Sequence, residues 1–301
     1  MKVFLIILLI LIGVVLVFYV GPTIVSFFLV FRRKEAADLS QEDMKGTPYE
    51  PYKNRIRDGI RFLRELPGEE VSIRSIDGLK LVGTYIDKGS DKTAILVHGF
   101  RSNAYNNFAV MGRVLYEEAG YNLLLIDQRA SGRSEGKLSS SGLKERYDVR
   151  NWIRFLDRKE SVKEILLCGV SMGATSIAFT SDRLRSRKVN GLILDCGYES
   201  PENQIIERGK EMHYPAEIMM PLAKVIAGLV LKEDLSENVL PHLKKSTLPA
   251  LFIHGTRDRT VPFYEGENMY REYRGPKRKL FAEGADHAVA FYADYERGRT
   301  T

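Results

Sequence analysis

The stretch Lys163-Glu-Ile-Leu-Leu-Cys-Gly-Val-Ser171-Met-Gly-Ala-Thr-Ser-Ile-Ala178 decides the fold. Its first half is an apolar run bounded by charge, the pattern of a strand buried on both faces. The run breaks at Gly169-Val170-Ser171-Met172-Gly173 and resumes as a small-residue helix. Only a very tight strand-to-helix turn fits that change, with Ser171 presented at the strand's carboxyl end. A Cβ at either flanking glycine would meet neighbouring backbone. A serine held this way becomes a nucleophile when a histidine reaches its hydroxyl.

The pentapeptide alone is weak, because a G-x-S-x-G match arises by chance in roughly one such sequence in eight. A second match, Gly132-Arg133-Ser134-Glu135-Gly136, trails the strand expected at 122–127 by several residues and opens no helical pattern. It reads as a flexible loop, and Ser171 keeps the motif.

Outward from the turn, residues 71–76 alternate as a strand, Asp77-Gly78 supplies a hairpin turn, and 79–86 returns. From Thr93 the rhythm changes. Apolar strands at 93–97, 122–127, 165–169, 190–195, 250–254 and 278–281 alternate with helical stretches. One is expected at 105–119, with Phe108, Met111 and Leu115 on a stripe. Another is expected at 143–156, opened by serines 139–141. Strands buried on both faces and separated by helices indicate an α/β fold with a mostly parallel central sheet, helices on both faces and an antiparallel hairpin leading it.

Between Cys196 and Thr247 no strand pattern appears, four prolines fall, and an apolar helical piece at 218–231 is broken near Gly228. Such an insertion is either a cap over the site or a helix that covers core surface, and the sequence leaves both open.

The amino terminus differs in kind. Val3 through Phe31 carries no charged residue and is followed by Arg32-Arg33-Lys34. As a helix it would run about 43 Å, beyond the ~30 Å hydrocarbon core. That length favours a retained transmembrane helix over a cleaved signal, with a kink or the end of the deepest segment at Gly21-Pro22. The Lys and Arg excess on the downstream flank favours a cytoplasmic catalytic domain, although so short an amino-terminal tail permits the opposite topology. The expected organisation is an anchor at 1–31, a connector at 32–70 and a catalytic domain at 71–301 containing the cap insertion at 196–247. The connector holds a helix at 52–66 whose Ile56, Ile60 and Leu63 share a stripe.

Composition narrows the class. The net charge of +6 is spread along the chain, without the basic clusters and interleaved aromatics of a nucleic-acid groove. Cys168 and Cys196 make neither a zinc site nor a disulfide framework and read as buried free thiols.

Ser171 needs a base and a group to orient it. Asp258 lies in the loop after the strand at 250–254, and His287 lies just past the last strand. Strand carboxyl ends share one edge of a parallel sheet, so these loops converge on Ser171. In this arrangement His287 takes the serine proton, and Asp258 fixes the imidazole and stabilises the imidazolium. Asp195, ending the strand after the turn, competes as the acid, whereas Asp286 points away if His287 faces the site. His98 and His254, each before a glycine at a strand end, read as structural. His213 and His242 fall in the insertion and are expected on its surface. The oxyanion needs two backbone donors, the N–H of Met172 and, from the loop His98-Gly99-Phe100, that of Phe100.

Val97-His98-Gly99-Phe100, Asp127-Gln-Arg129-Ala-Ser-Gly132-Arg-Ser134, Gly169-Val-Ser171-Met-Gly173, His254-Gly-Thr-Arg-Asp258 and Gly284-Ala-Asp-His287 together resemble the α/β-hydrolase superfamily. The likeness extends over about residues 70–295 and is to its membrane-tethered branch, similar to serine-aminopeptidase-like and prolyl-oligopeptidase-like hydrolases. The resemblance implies that Asp127 and Arg129 brace the active-site edge without reacting. Ser131 departs from the histidine or glycine common in relatives, and relatives usually continue a longer final helix beyond the region of 291–295.

The resulting expectation is a membrane-anchored serine hydrolase cleaving an ester, thioester or amide through an acyl-enzyme. It would need no metal or organic cofactor and would act on a small-molecule or acylated substrate with an apolar acyl group. A peptidase, using Glu199, Glu202 or Glu207 for a substrate amine, is the enzymatic alternative. A non-catalytic, membrane-tethered interaction protein on the same scaffold is the other, since a fold does not establish function.

Overall fold

The computed structural model describes residues 1–300. Eight strands form one sheet: β1 (Gly68–Arg74), β2 (Lys80–Ile86), β3 (Lys92–Val97), β4 (Asn122–Ile126), β5 (Glu164–Val170), β6 (Val189–Asp195), β7 (Ala250–Gly255) and β8 (Lys277–Ala282). Their spatial order is β1-β2-β4-β3-β5-β6-β7-β8. β1 and β2 pair antiparallel, β2 runs antiparallel to β4, and every later pairing is parallel. The chain winds outward from β3 to β4, then crosses back to place β5 on the other side of β3. The carboxyl ends of β3 and β5 therefore flank a topological switch point, the crevice where α/β sheets bind ligands.

Alternation along each strand divides the core. Ile95, Val97, Leu124, Ile126, Ile165 and Leu167 face one side, with Trp152 and the helix Met172–Thr180. Ala94, Leu96, Leu123, Leu125, Cys168 and Val170 face the other, with Ile56, Ile60 and Leu63 of the connector helix Lys53–Glu65. Cys168 on β5 and Cys196, just past the end of β6, are free, buried thiols.

Several elements depart from the sequence expectation. The helix at 105–119 is two short pieces, Ala104–Asn107 and Met111–Glu117, separated by the buried Phe108, Ala109 and Val110. The loop around Ser134 is pinned. The fully buried Ser134 hydroxyl accepts the Val82 N–H at 2.8 Å and donates to the Asp127 carbonyl, tying β2 to the end of β4. The serines at 139–141 wrap a buried carboxylate: Glu145 accepts from the Ser139 and Ser140 hydroxyls and from the Ser140 and Gly142 amides.

Residues 201–243 hold the helices Pro201–Glu211, Ala216–Val230 and Leu240–Leu243. Ala216–Val230 runs unbroken through Gly228, with Pro221 inside it. His242 is buried, bonded to Asp182 at 2.8 Å and near Glu237, a correction to its expected surface position. Glu202 pairs with Lys224 and Glu207 with Lys210, while Glu199 accepts from Asn268, so none of the three offers a free carboxylate to an amine.

The amino-terminal helix runs from Lys2 to Phe31 and is long and apolar enough, by length and composition, to cross a membrane. It passes Gly21-Pro22 without ending, through a π turn at Leu16–Val20 in which the Gly21 N–H bonds the Leu16 carbonyl. That wider turn accommodates the donor missing at Pro22. Beyond it, Thr23, Phe27 and Phe31 are buried against the domain, and the segment packs on Ala216–Val230.

Buried Arg129 forks onto Asp148 at 2.6 and 2.8 Å and reaches Asp77 at 3.0 Å, bracing the hairpin turn against the helix Glu145–Asp157. Removing one partner of a buried pair strands the other. Arg129→Met should cost about 3 kcal/mol or more in thermal unfolding of the detergent-solubilised chain, and adding Asp148→Leu should recover part of that loss.

Candidate active site

Ser171 sits between β5 and the helix Met172–Thr180 with φ 54° and ψ −120°, a backbone conformation costly for a side chain-bearing residue. Its amide donates to the Asp195 carbonyl at 2.8 Å, and its carbonyl accepts the Thr175 N–H at 3.0 Å. The turn is crowded. A Cβ on Gly173 would overlap the Val97 carbonyl, and one on Gly169 would overlap Gly173 and Ala174.

The three candidate side chains meet. His287 Nε2 lies 3.1 Å from Ser171 Oγ, and Nδ1 lies 2.7 Å from Asp258 Oδ2. Asp258 Oδ1 accepts the Thr260 and Val261 amides, each at 2.8 Å, which leaves Oδ2 aimed at the imidazole. The neighbouring Asp286 turns away to bond Arg259 and the His287 amide, fixing the loop. Asp195 is buried with Oδ1 unpartnered and makes no hydrogen bond to His287; burial pushes its carboxyl up to about 7. Geometry therefore selects Asp258 over Asp195 as the partner of the histidine.

Two opposing effects act on His287. Burial disfavours the imidazolium, but the Asp258 carboxylate, aided by Asp195 and Asp286, outweighs it and holds the group above the usual imidazole value. Cys196 Sγ lies 4.0 Å from His287 Nε2. Cys196, Asp258 and His287 bring ligand-type atoms within 4.8 Å of one another. The set suits a cation poorly: burial pushes the thiol well above its ordinary value, and both imidazole nitrogens already have partners.

The loop after β3 is equally fixed. The Gly99 amide donates to Asn107 Oδ1 at 2.8 Å. His98 Nε2 accepts the Gln128 amide at 3.1 Å, so its Nδ1 carries the proton that bonds the Gly99 carbonyl at 2.8 Å. The amides of Phe100 and Met172 make no hydrogen bond among the described residues. Arg101, at φ 51°, stacks on the Phe100 ring and donates to the Leu29 and Val30 carbonyls at the end of the amino-terminal helix.

A pocket of about 200 Å³ opens above Ser171, lined by Ala37, Leu39, Tyr49, Phe100, Ser171 and His287 among others. Its outer wall is the connector, and no residue of 196–247 lines it. The connector is held there by Asn106, which donates to the Ala37 carbonyl at 2.7 Å and accepts the Leu39 amide at 3.3 Å. Sequence reasoning missed these wall residues. Their only signal was a few apolar side chains, Leu39, Met44 and Tyr49, scattered in a polar stretch.

A family profile described as the alpha/beta hydrolase fold matches residues 93–214. The Pyrococcus furiosus esterase Pf2001 superposes with a TM-score of 0.63 at 26% identity, covering 78% of this chain and 90% of its own. The chain has the α/β-hydrolase fold. Its fold and its esterase neighbours support a hydrolase. An uncharacterised Bacillus subtilis protein, YqkD, is 29% identical over 215 residues, 69% of each chain. The yeast uncharacterised membrane protein YNL320W is 24% identical over 218 residues, 72% of each.

The electrostatics give a direct test on this hydrolase. In NMR titration the His287 imidazole should protonate above the ordinary value of about 6.5. With Asp258→Asn, burial remains and the carboxylate does not, so the pKa should fall below that value.

Proposed function

We propose that the protein is a membrane-anchored serine hydrolase that cleaves a carboxylic ester through an acyl-enzyme. The observation that carries the reading is the unbroken hydrogen-bond chain Ser171–His287–Asp258 at the base of an open pocket. Ser171 Oγ attacks the substrate carbonyl while its proton passes to His287 Nε2. Asp258 accepts the bond from Nδ1–H and stabilises the imidazolium. The tetrahedral oxyanion takes the N–H groups of Phe100 and Met172, aimed before reaction and needing no reorganisation. Collapse breaks the acyl–oxygen bond, and His287 returns the proton to the departing alcohol. Water, deprotonated by the same imidazole, then attacks the acyl carbonyl and releases the acid and free Ser171.

The substrate reading follows from the walls. A 200 Å³ pocket edged by Leu39, Tyr49 and Phe100 lies below the usual range of about 300–1,000 Å³ for drug-sized ligands. It suits a short apolar acyl group, and ester hydrolysis accords with the Pf2001 likeness. A thioester reacts by the same route. The paired states of Glu202 and Glu207 and the bonded Glu199 speak against the peptidase alternative. Membrane anchorage is supported by the Lys2–Phe31 helix and by the yeast relative's description as a membrane protein. The basic run at 32–34 favours a hydrolase domain on the cytoplasmic side.

A fluorophosphonate probe should label the full-length protein, and Ser171→Ala should abolish labelling. The same variant should lower ester turnover by about three orders of magnitude or more. A protein that never labels is the interaction scaffold instead. Across a series of p-nitrophenyl esters, short acyl chains should give the highest kcat/KM; a maximum at long chains would overturn the pocket reading. Because the base works unprotonated and His287 is held up by Asp258, kcat/KM should fall on acidification through an apparent pKa above about 6.5.

A further inference from the structure

The helix Ala216–Val230 carries an apolar stripe that nothing in the protein covers. Ile218, Val225 and Leu229 are 68%, 57% and 76% exposed, and Pro221 and Gly228 between them are exposed too. Spaced at 218, 221, 225, 228 and 229, they lie along one helical face without an ionisable group. The opposite face, with Ala216, Met220 and Ala227, is buried. The turn before the helix continues the exposure with Met212 and Tyr214. The flanking charges are paired: Lys224 with Glu202, and Glu217 with Lys210.

The stripe adjoins the amino-terminal helix. The segment Gly21–Phe31 packs on Ala216–Val230, and Ser26 Oγ bonds the Tyr214 hydroxyl at 2.5 Å. The outer face of that segment exposes Ile24, Val25, Phe28 and Leu29. Both helices thus turn apolar surface outward from one packed pair.

Length fixes the level of this pair relative to a bilayer. Residues 2–20, all outside the domain core, rise about 28 Å as a helix, nearly the whole of a ~30 Å hydrocarbon core. The remaining turns from Gly21 onward therefore reach the near membrane interface, and the helix packed against them is held at the same depth. A solvated stripe of this kind is unfavourable in water, whereas an amphipathic helix buries its apolar face about 5–10 Å into the headgroup and acyl boundary.

We propose that the stripe Ile218–Val225–Leu229, continuous with the outer face of Gly21–Phe31, is seated in the near leaflet of the bilayer, so that the hydrolase domain lies on the membrane surface and does not swing free on its anchor. This rests on the membrane-anchored reading, and the occupant is lipid hydrocarbon.

The test uses the full chain in phosphatidylcholine–phosphatidylglycerol vesicles, with an environment-sensitive fluorophore on one introduced cysteine and a quencher on the lipid acyl chains. The native Cys168 and Cys196 are buried and do not compete for label. Three variants are compared: Ile10→Cys in the anchor, Val225→Cys on the stripe, and Lys163→Cys at the amino-terminal end of β5, away from the proposed surface. The expected result is blue-shifted, lipid-quenched emission at 10 and 225, and water-like, unquenched emission at 163. Quenching at 10 with water-like emission at 225 overturns the proposal and leaves the anchor standing. Loss of quenching at both positions overturns the anchored reading together with the proposal. Disulfide cross-linking between Val225→Cys chains, with 225 shielded from the lipid quencher, overturns lipid in favour of a second copy of the chain.

Discussion

The structure depends on one crowded turn. Ser171 keeps a positive φ because β5 ends against β3, and the helix that follows begins where the Val97 carbonyl leaves no room for a Cβ at 173. The Ser171 amide is tied to β6 through the Asp195 carbonyl, so three adjacent strands hold the residue in a conformation it would not adopt alone. The same crowding brings the loop after β3 against the nucleophile: the place of a Cβ on Gly99 lies 3.3 Å from Ser171 Cβ. Strand order and the proposed oxyanion donors are thus consequences of one packing problem.

Electrostatics alone do not single out the base. His98 and His254 are buried, desolvation lowers both, and each donates a ring N–H to a backbone carbonyl. His242, like His287, is held above the ordinary value, in its case by Glu237 against burial and with Asp182 in support. Two carboxylate-supported histidines therefore exist, and only one stands over a serine at a pocket. The other secures the segment after β6 to the helix ending near Asp182. Charge poises such a group; position decides whether it has anything to act upon.

The sequence was legible wherever one constraint dominates. Doubly buried strands leave continuous apolar runs, and the Ser171 turn demands its glycines, so the sheet and the convergence of Ser171, Asp258 and His287 could be read in advance. It was opaque where residues far apart share a small job. Ser134 looked like a loop serine because its partners, Val82 and the Asp127 carbonyl, are backbone groups that leave no side-chain pattern. The 105–119 stripe was real, but the break at the buried Phe108, Ala109 and Val110 is not marked by any glycine or proline that periodicity could register. The connector as pocket wall was invisible for the same reason: Leu39 and Tyr49 meet Ser171 only through tertiary folding, held by Asn106.

The amino-terminal helix is not merely appended to the domain. Phe27 and Phe31 join its hydrophobic core, and Phe31 gives its carbonyl to the Ser139 amide. Arg33 donates from its guanidinium to the Gly132 and Ser134 carbonyls, and from its amide to the Lys137 carbonyl. The Leu29 and Val30 carbonyls belong to the last turn, where no intrahelical donor remains, and Arg101 supplies both the missing donors and a positive charge at the negative end of the dipole. Arg101 follows Phe100, whose amide is the proposed oxyanion donor. The helix end, the loop beside the nucleophile and the connector over the pocket therefore form one contiguous set of contacts. Within it, the direction in which the first thirty residues leave the domain also fixes which way the pocket faces.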